Sequence, residues 1–220
     1  MAEPRTCRIV ALISGGGTNL QAIIDAAAVG DIPGQMAAVL SNKAGVRGLE
    51  RAESAGIPTE VVEHRDFPDR ATFDAAMQEA IDRYRPDLVV LAGFMRILTP
   101  EFVQHYQGRM LNIHPSLLPA YPGLHTHQRA IEAGDTEHGA TVHFVTAELD
   151  GGPPIIRGRV PIEADDTPET LAARVLTQEH RIYPQAVRWF CEGRLRLTKD
   201  GALFDGNGLD APLDIDRLPD

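Results

Sequence analysis

An Asn-x-His pair at the end of an apolar run is the strongest chemical signal in the chain. The segment Asn112-Ile113-His114-Pro115 follows a strand-like stretch, and in an extended segment the side chains at positions i and i+2 lie on one face. Asn112 and His114 would then share one space, where an amide can donate to an oxyanion and an imidazole can transfer a proton. These groups could move an acyl group between nitrogen atoms.

A carboxylate beside a glycine turn is the second signal. Asp150 precedes Gly151-Gly152, and this turn could fold back to orient His114. Taken alone, an Asn-x-His beside a proline is also an ordinary strand end, and Asp-Gly-Gly is an ordinary turn. The interpretation therefore depends on several motifs occurring together.

Five motifs occur in order along the chain. They are Gly15-Gly16-Gly17-Thr18-Asn19, Met95-Arg96-Ile97-Leu98, Asn112-Ile113-His114-Pro115-Ser116-Leu117-Leu118-Pro119, Leu149-Asp150-Gly151-Gly152-Pro153 and Thr177-Gln178-Glu179-His180. In this combination the chain resembles the folate-dependent formyltransferases, and among them the glycinamide ribonucleotide formyltransferases of purine synthesis. The resemblance covers residues 7 to 195.

The resemblance implies transfer of a formyl group from 10-formyltetrahydrofolate, as co-substrate, to the amine of glycinamide ribonucleotide. Asn112, His114 and Asp150 would be the catalytic residues, with Asp150 orienting His114 and favouring its protonated form. No covalent acyl-enzyme is needed. We interpret Ser116 as structural, because it follows Pro115 directly and lacks the G-x-S-x-G turn of serine hydrolases.

A glycine-rich turn separates the first predicted strand from its helix. Leu20 stands where the dinucleotide-binding motif G-x-G-x-x-G requires its last glycine, and no Lys follows as a P-loop needs. Backbone N–H groups at a helix N-terminus favour a phosphate, although tight strand–helix packing would also use glycines. The resemblance assigns the ribonucleotide phosphate to Gly17, Thr18 and Asn19. It places Glu179 at the amino end of the ribonucleotide; otherwise Glu179 is a solvated helix carboxylate.

The folate site is implied by the resemblance rather than by visible chemistry. The loop after the central strand and the loop before Gly151 would hold the pterin. Arg70 would lie near the glutamate tail of the folate, or could equally be a solvated helix charge. The expected pterin residues are Met95, Arg96, Ile97, Leu98, Thr146, Ala147, Glu148, Leu149 and Asp150.

Length and composition indicate a compact soluble enzyme without nucleic-acid or membrane partners. The chain has 220 residues, 43% of them hydrophobic, and a net charge of −10, which disfavours neutralisation of nucleic-acid phosphates. No apolar run approaches the roughly 20 residues of a membrane span, and residues 1–6 contain no signal-peptide core. We expect small-molecule substrates, a cytoplasmic location and a monomer or homodimer. Cys7 and Cys191 are expected to be reduced, buried thiols.

No metal site is expected. His125, His127, His138 and His143 match no compact zinc spacing, and the resembled family uses no metal. Local hydrogen bonding is expected for these residues, and His143 is expected to face the site from its strand.

Alternating apolar runs and helical patterns predict a doubly wound, mostly parallel α/β sheet of the Rossmann-like formyltransferase type. An antiparallel extension over residues 140–146 and 155–160 and a long helix from Thr167 to about Cys191 would complete it. We expect one formyltransferase domain over residues 1–197, with a ribonucleotide-binding N-terminal half and a folate-binding, catalytic C-terminal half. Residues 198–220 would form an acidic peripheral tail.

Three alternative functions remain open. A methionyl-tRNA formyltransferase would carry a further C-terminal domain for tRNA, and a formyltetrahydrofolate hydrolase would carry an N-terminal regulatory domain. A non-catalytic folate- or nucleotide-binding regulator is the third alternative. The retention of Asn112, His114 and Asp150 favours a catalyst over a regulator.

Overall fold

The computed structural model describes residues 6–218. The strands are β1 Cys7–Ile13, β2 Gly34–Ser41, β3 Thr59–Val61, β4 Leu88–Leu91, β5 Met110–His114, β6 Glu137–Phe144, β7 Pro154–Pro161, β8 Leu195–Thr198, β9 Gly201–Phe204, β10 Asn207–Gly208 and β11 Leu213–Asp214. The helices are α1 Thr18–Ala28, α2 Arg47–Ser54, α3 Arg70–Asp82, α4 Pro100–His105, α5 Thr126–Ala133 and α6 Pro168–Cys191.

The main sheet has the strand order β11-β7-β6-β5-β4-β1-β2-β3. Strands β3, β2, β1, β4 and β5 pair in parallel, and β6 and β7 continue the sheet in antiparallel pairing. The predicted mostly parallel sheet with an antiparallel extension is therefore confirmed. The chain moves outward in one direction after β1 and in the other after β4, so the switch point lies between these two strands. Ligands of such sheets bind at this crevice, beyond the carboxyl ends of the strands.

The sheet is buried on both faces. Ile9, Ala11 and Ile13 of β1 pack with α1, α2 and α6, whereas Val10 and Leu12 pack on the other face with α3 and α4. This two-sided burial explains why the central strands are continuous apolar runs. The long helix α6 is anchored to the sheet by the buried Tyr183 hydroxyl, which donates to the carbonyl oxygens of Leu91 at 2.8 Å and Leu111 at 3.0 Å.

The C-terminal segment contains more regular structure than an acidic tail implies. Strands β8, β9 and β10 form a small antiparallel sheet that crosses position 198, and β11 returns to pair with β7. The boundary between a 1–197 domain and a tail stays a prediction. Residues 1–5 and 219–220, which belong to these expected units, lie outside the described residues.

Cys7, on the first strand, and Cys191, at the end of α6, are both free and half-buried. Their sulfur atoms lie 2.7 Å apart. Among residues 6–218, no helix is both long and apolar enough to cross a membrane.

Candidate active site

His114 is buried at the carboxyl end of β5, with both ring nitrogens facing oxygen atoms. Nε2 lies 2.8 Å from the Tyr121 carbonyl oxygen, and Nδ1 lies 3.4 Å from Asp150 Oδ2. A carbonyl oxygen can only accept, so Nε2 carries a hydrogen. Nδ1 faces the Asp150 carboxylate, so this carboxylate and the Tyr121 carbonyl together fix the orientation of the ring.

Asp150 reaches His114 because of the glycine turn that follows it. A Cβ atom at Gly152 would lie 1.7 Å from the Phe144 carbonyl oxygen, so only glycine permits this close return of the chain. Asp150 itself has a left-handed backbone, with φ 51°. Its Oδ2 accepts the backbone N–H of Gly123 at 2.9 Å. The structure thus brings Asp150 to the Asn112–His114 pair, as the sequence predicted.

His143 lies opposite Asn112 on the neighbouring strand β6. Burial lowers the pKa of His143, so the neutral ring is favoured. Its Nδ1 donates to the Phe144 carbonyl oxygen at 2.9 Å, which leaves Nε2 as an acceptor 3.3 Å from Asn112 Nδ2. The second N–H of the Asn112 amide has no partner among residues 6–218 and is available to a substrate oxygen. His143 also lies 3.8 Å from Asp150 Oδ1, and it faces the site as expected.

The glycine turn leads directly into α1. Gly17 is the N-cap with φ 71°, and a Cβ atom there would lie 2.7 Å from Gly48 Cα at the start of α2. The turn therefore has a packing reason for glycine as well as the geometry of an anion site. Thr18 is exposed at the helix N-terminus. Arg51, which the sequence did not single out, donates from Nε to the Gly16 carbonyl oxygen at 2.8 Å.

Asn19 and Glu179 meet between α1 and α6. Asn19 Nδ2 donates to Glu179 Oε2 at 2.6 Å, whereas Asn19 Oδ1 is buried without a partner among the described residues. Glu179 is only 9% exposed. Burial raises the pKa of Glu179, and the hydrogen bond from Asn19 opposes that rise. The pair presents a carboxylate and a free amide oxygen, both of which could accept from an amine.

The expected folate loops expose apolar side chains. Met95 and Ile97 lie in the loop after β4 and Leu149 in the loop after β6, with exposures of 65%, 61% and 58%. Solvent-facing apolar groups on the loops after β4 and β6, the two strands that flank β5, suit a flat aromatic ligand. Thr146 is half-buried in the second loop, and Ala147 and Glu148 are exposed.

Two arginines and a carboxylate lie below the first of these loops. Arg70, the first residue of α3, is exposed, and Arg96 packs over the Phe73 ring with Cζ 5.5 Å from its centroid. The buried Asp74 accepts the backbone N–H of Thr99 at 2.6 Å. Burial raises the pKa of Asp74, and its hydrogen bonds to Thr99 and the charges of Arg70 and Arg96 oppose that rise. Leu98, the last expected pterin residue, packs against the core on this side of the sheet.

The remaining candidates are two further histidines and Ser116. His127 and His138 stack edge to face, with ring centroids 5.1 Å apart. No group of three or more His, Cys, Asp or Glu side chains suited to a metal occurs within residues 6–218. The hydroxyl of the buried Ser116 donates to the Ala120 carbonyl oxygen at 2.6 Å, an arrangement that fits the structural role predicted for it.

Comparison with known proteins identifies the family. The formyl transferase family model matches residues 7–187. The chain belongs to the formyl transferase family. This formyltransferase is 57% identical over 201 residues to phosphoribosylglycinamide formyltransferase of Escherichia coli (strain K12), covering 91% of the chain and 95% of the relative. It is 52% identical over 202 residues to phosphoribosylglycinamide formyltransferase of Haemophilus influenzae, covering 92% and 95%.

Solved structures agree with this assignment. The phosphoribosylglycinamide formyltransferase structure from Coxiella burnetii superposes with a TM-score of 0.90 at 51% identity. The match covers 95% of the present chain and 100% of the Coxiella chain. The family resemblance and fold class expected from the motifs are therefore confirmed. The individual site residues stay predictions.

Proposed function

We propose that this formyltransferase moves the formyl group of 10-formyltetrahydrofolate to the amine of glycinamide ribonucleotide. The products are the N-formyl ribonucleotide and tetrahydrofolate, in purine biosynthesis. The observation that carries the proposal is the convergence of Asn112, His114 and Asp150 at the carboxyl edge of the sheet. Asp150 Oδ2 lies 3.4 Å from His114 Nδ1, and full-length relatives named for this reaction share more than half of the sequence.

The chemistry follows from the free N–H of Asn112 and the charge of His114. The amine attacks the formyl carbon, a carbon–nitrogen bond forms, and the formyl oxygen becomes an oxyanion. The free N–H of Asn112 stabilises that oxyanion by hydrogen bonding, and the positive charge of the His114 imidazolium, whose two nitrogens face Tyr121 and Asp150, stabilises it electrostatically. Collapse of the intermediate then breaks the bond to N10, which receives a proton as it leaves, while the attacking nitrogen loses one. Asp150 holds the His114 ring and balances its charge throughout.

The substrate sites lie on either side of this cluster in the proposal. The phosphate of the ribonucleotide binds at Gly17, Thr18 and Asn19, and Glu179 receives its amino group. Arg70 and Arg96 attract the negatively charged glutamate tail of the folate. The pterin lies against the loops of Met95, Arg96, Ile97 and Leu98 and of Thr146, Ala147, Glu148, Leu149 and Asp150. We also propose a cytoplasmic enzyme without metal, acting as a monomer or homodimer.

A single assay separates transfer from its alternatives. Incubation with 10-formyltetrahydrofolate alone should release formate slowly, and addition of glycinamide ribonucleotide should give formylated product and tetrahydrofolate in equal amounts. Formate release independent of the ribonucleotide would indicate a hydrolase. Binding of both ligands without product would indicate a regulator.

The catalytic cluster is tested by one variant and one control. His114→Ala should lower kcat by at least about 10²-fold, the usual scale for a general acid–base group. His105→Ala removes an exposed histidine that pairs with Asp82 at 2.8 Å and should leave kcat unchanged. Near-normal turnover by His114→Ala would refute the proposed centre.

A further inference from the structure

Ser14 is a buried hydroxyl at the switch point of the sheet, outside the catalytic cluster. It directly follows β1, immediately before the glycine turn, and is only 6% exposed. Its Oγ accepts the backbone N–H of Met95 at 2.8 Å and donates to Asn42 Oδ1 at 2.5 Å. Its own backbone N–H donates to the Gly93 carbonyl oxygen at 3.1 Å. One residue therefore connects the chain segments at the carboxyl ends of β1, β2 and β4.

These contacts lie where the two substrate-binding segments diverge. Residues 15–19 leave the sheet from Ser14, and residues 93–98 leave it from the end of β4. In the proposed function the first segment binds the ribonucleotide phosphate and the second binds the folate. The hydroxyl of Ser14 is thus a direct polar link between the two substrate-binding segments.

Further hydrogen bonds hold the residues on either side of this link. Asn42 is 1% exposed, and its carbonyl oxygen lies 2.9 Å from His64 Nδ1. At the other end of the folate loop, Asp74 holds Thr99 N at 2.6 Å. Buried polar networks with satisfied donors and acceptors are rigid, and loss of one member leaves the others unpaired. Removal of the Ser14 hydroxyl would leave Met95 N and the Asn42 amide without this partner.

We propose that Ser14 is a positioning residue that fixes the separation of the ribonucleotide turn and the folate loop. The inference rests on the proposed function. Reaction between two bound substrates requires the amine and the formyl carbon to be held in contact, and a misplacement of about 1 Å can cost about 10²-fold in rate. Each ligand alone needs only its own segment. Loss of the link should therefore impair the reaction far more than either binary complex.

Ser14→Ala is the test variant, and Ser41→Ala is its matched control. Ser41 is 0% exposed at the same edge of the sheet, donates to the Lys43 carbonyl oxygen at 2.7 Å and accepts from Lys43 N at 3.1 Å. Both variants lose one buried hydroxyl with two hydrogen bonds, but only Ser14 connects the two loops. Ser14→Cys keeps the approximate size with a weaker acceptor and covers the case in which Ser14→Ala does not fold.

The measurements are kcat, thermal midpoint, and the separate dissociation constants of glycinamide ribonucleotide and of tetrahydrofolate. Ser14→Ala should lower kcat about 10- to 100-fold, with both binary dissociation constants within about threefold of wild type. Ser14→Cys should show a smaller loss in the same direction. Ser41→Ala should lower the thermal midpoint similarly yet keep kcat within about threefold, because its bonds are local.

Three results would overturn the inference. They are normal turnover by Ser14→Ala or Ser14→Cys, an equal kcat loss in Ser41→Ala, and a weakening of binary binding as large as the loss of kcat. An inactive wild-type chain would overturn the proposed function together with this inference. An active wild type with unimpaired Ser14 variants would overturn this inference alone.

Discussion

Replacement of Asp150 by Asn should separate the charge of this residue from its shape. Asp150 has φ 51°, a left-handed conformation that Asn tolerates well, so the turn should be retained. The amide oxygen of Asn can still accept the Gly123 N–H. The substitution therefore removes mainly the negative charge 3.4 Å from His114 Nδ1.

The expected loss follows from that distance. A carboxylate and an imidazolium separated by 3.4 Å attract by about 5 kcal/mol at an effective dielectric constant of about 20, and by about 1 kcal/mol in water. The two side chains are 8% and 7% exposed, so we expect a loss between these limits. A loss of about 2–4 kcal/mol in the transition state corresponds to about 30- to 1000-fold in kcat.

Steady-state formyl transfer is the assay, with direct titration of both ligands. Asp150→Asn should lower kcat by that factor and leave ribonucleotide binding within about threefold. Asp135→Asn is the control, because the exposed Asp135 accepts from the Tyr121 hydroxyl at 2.6 Å and does not face His114. A normal kcat in Asp150→Asn, or an equal loss in the control, would refute the role assigned to the carboxylate.

Three further predictions concern the phosphate turn, the buried carboxylate and pH. A Cβ atom added at Gly16 would meet no atom of residues 6–218 within 4 Å beyond its own chain neighbours, so a side chain fits there. Gly16→Asp should raise the ribonucleotide KM about tenfold by charge repulsion, whereas the neutral Gly16→Asn should not. Equal effects of the two substitutions would contradict a phosphate site. Glu179→Gln should raise the ribonucleotide KM about 10- to 100-fold and leave folate affinity unchanged, since a charge-assisted hydrogen bond is worth about 1.5–3 kcal/mol. Glu169→Gln, at an exposed position, should change neither quantity, and equal KM values for the two variants would contradict this contact. Burial lowers the pKa of His138 from 6.5 to about 4, so the unfolded chain takes up the proton first as pH falls. The free energy of unfolding, measured by urea titration, should therefore drop by about 2 kcal/mol between pH 7.5 and 5. If His138→Asn does not reduce this pH dependence, His138 is not its cause.

Long, strongly patterned elements were predictable from the sequence. The core strands are apolar because helices cover both faces, and α6 begins with a capping box at Thr167 and a proline in its first turn. The short helices α4 and α5 were not predicted. Helix α5 has only eight residues and follows His125, which has φ 57° and makes no side-chain cap. Its N-cap residue, His125, is not one of the residue types that typically begin a helix.

In the site, too, features set by local sequence pattern were predictable and features set by tertiary packing were not. The shared face of Asn112 and His114 follows from strand periodicity, and the return of Asp150 follows from a glycine turn. The Tyr121 carbonyl and the Gly123 N–H are backbone groups, so no side-chain pattern could reveal them. The close approach of Gly17 to Gly48 depends on how two helices pack. That contact also makes Gly16, rather than Gly17, the better position for a charge test.

Strand β11 gives the C-terminal segment a consequence for colloidal behaviour. Leu213 and Asp214 pair with Ile156 and Arg157 of β7, and Asp214 Oδ2 accepts from Arg159 Nε at 3.0 Å. Without this short strand, β7 would be the edge of the sheet, with unpaired backbone groups able to pair with another chain. By covering part of β7, the two-residue strand and its ion pair therefore oppose edge-to-edge aggregation with another chain.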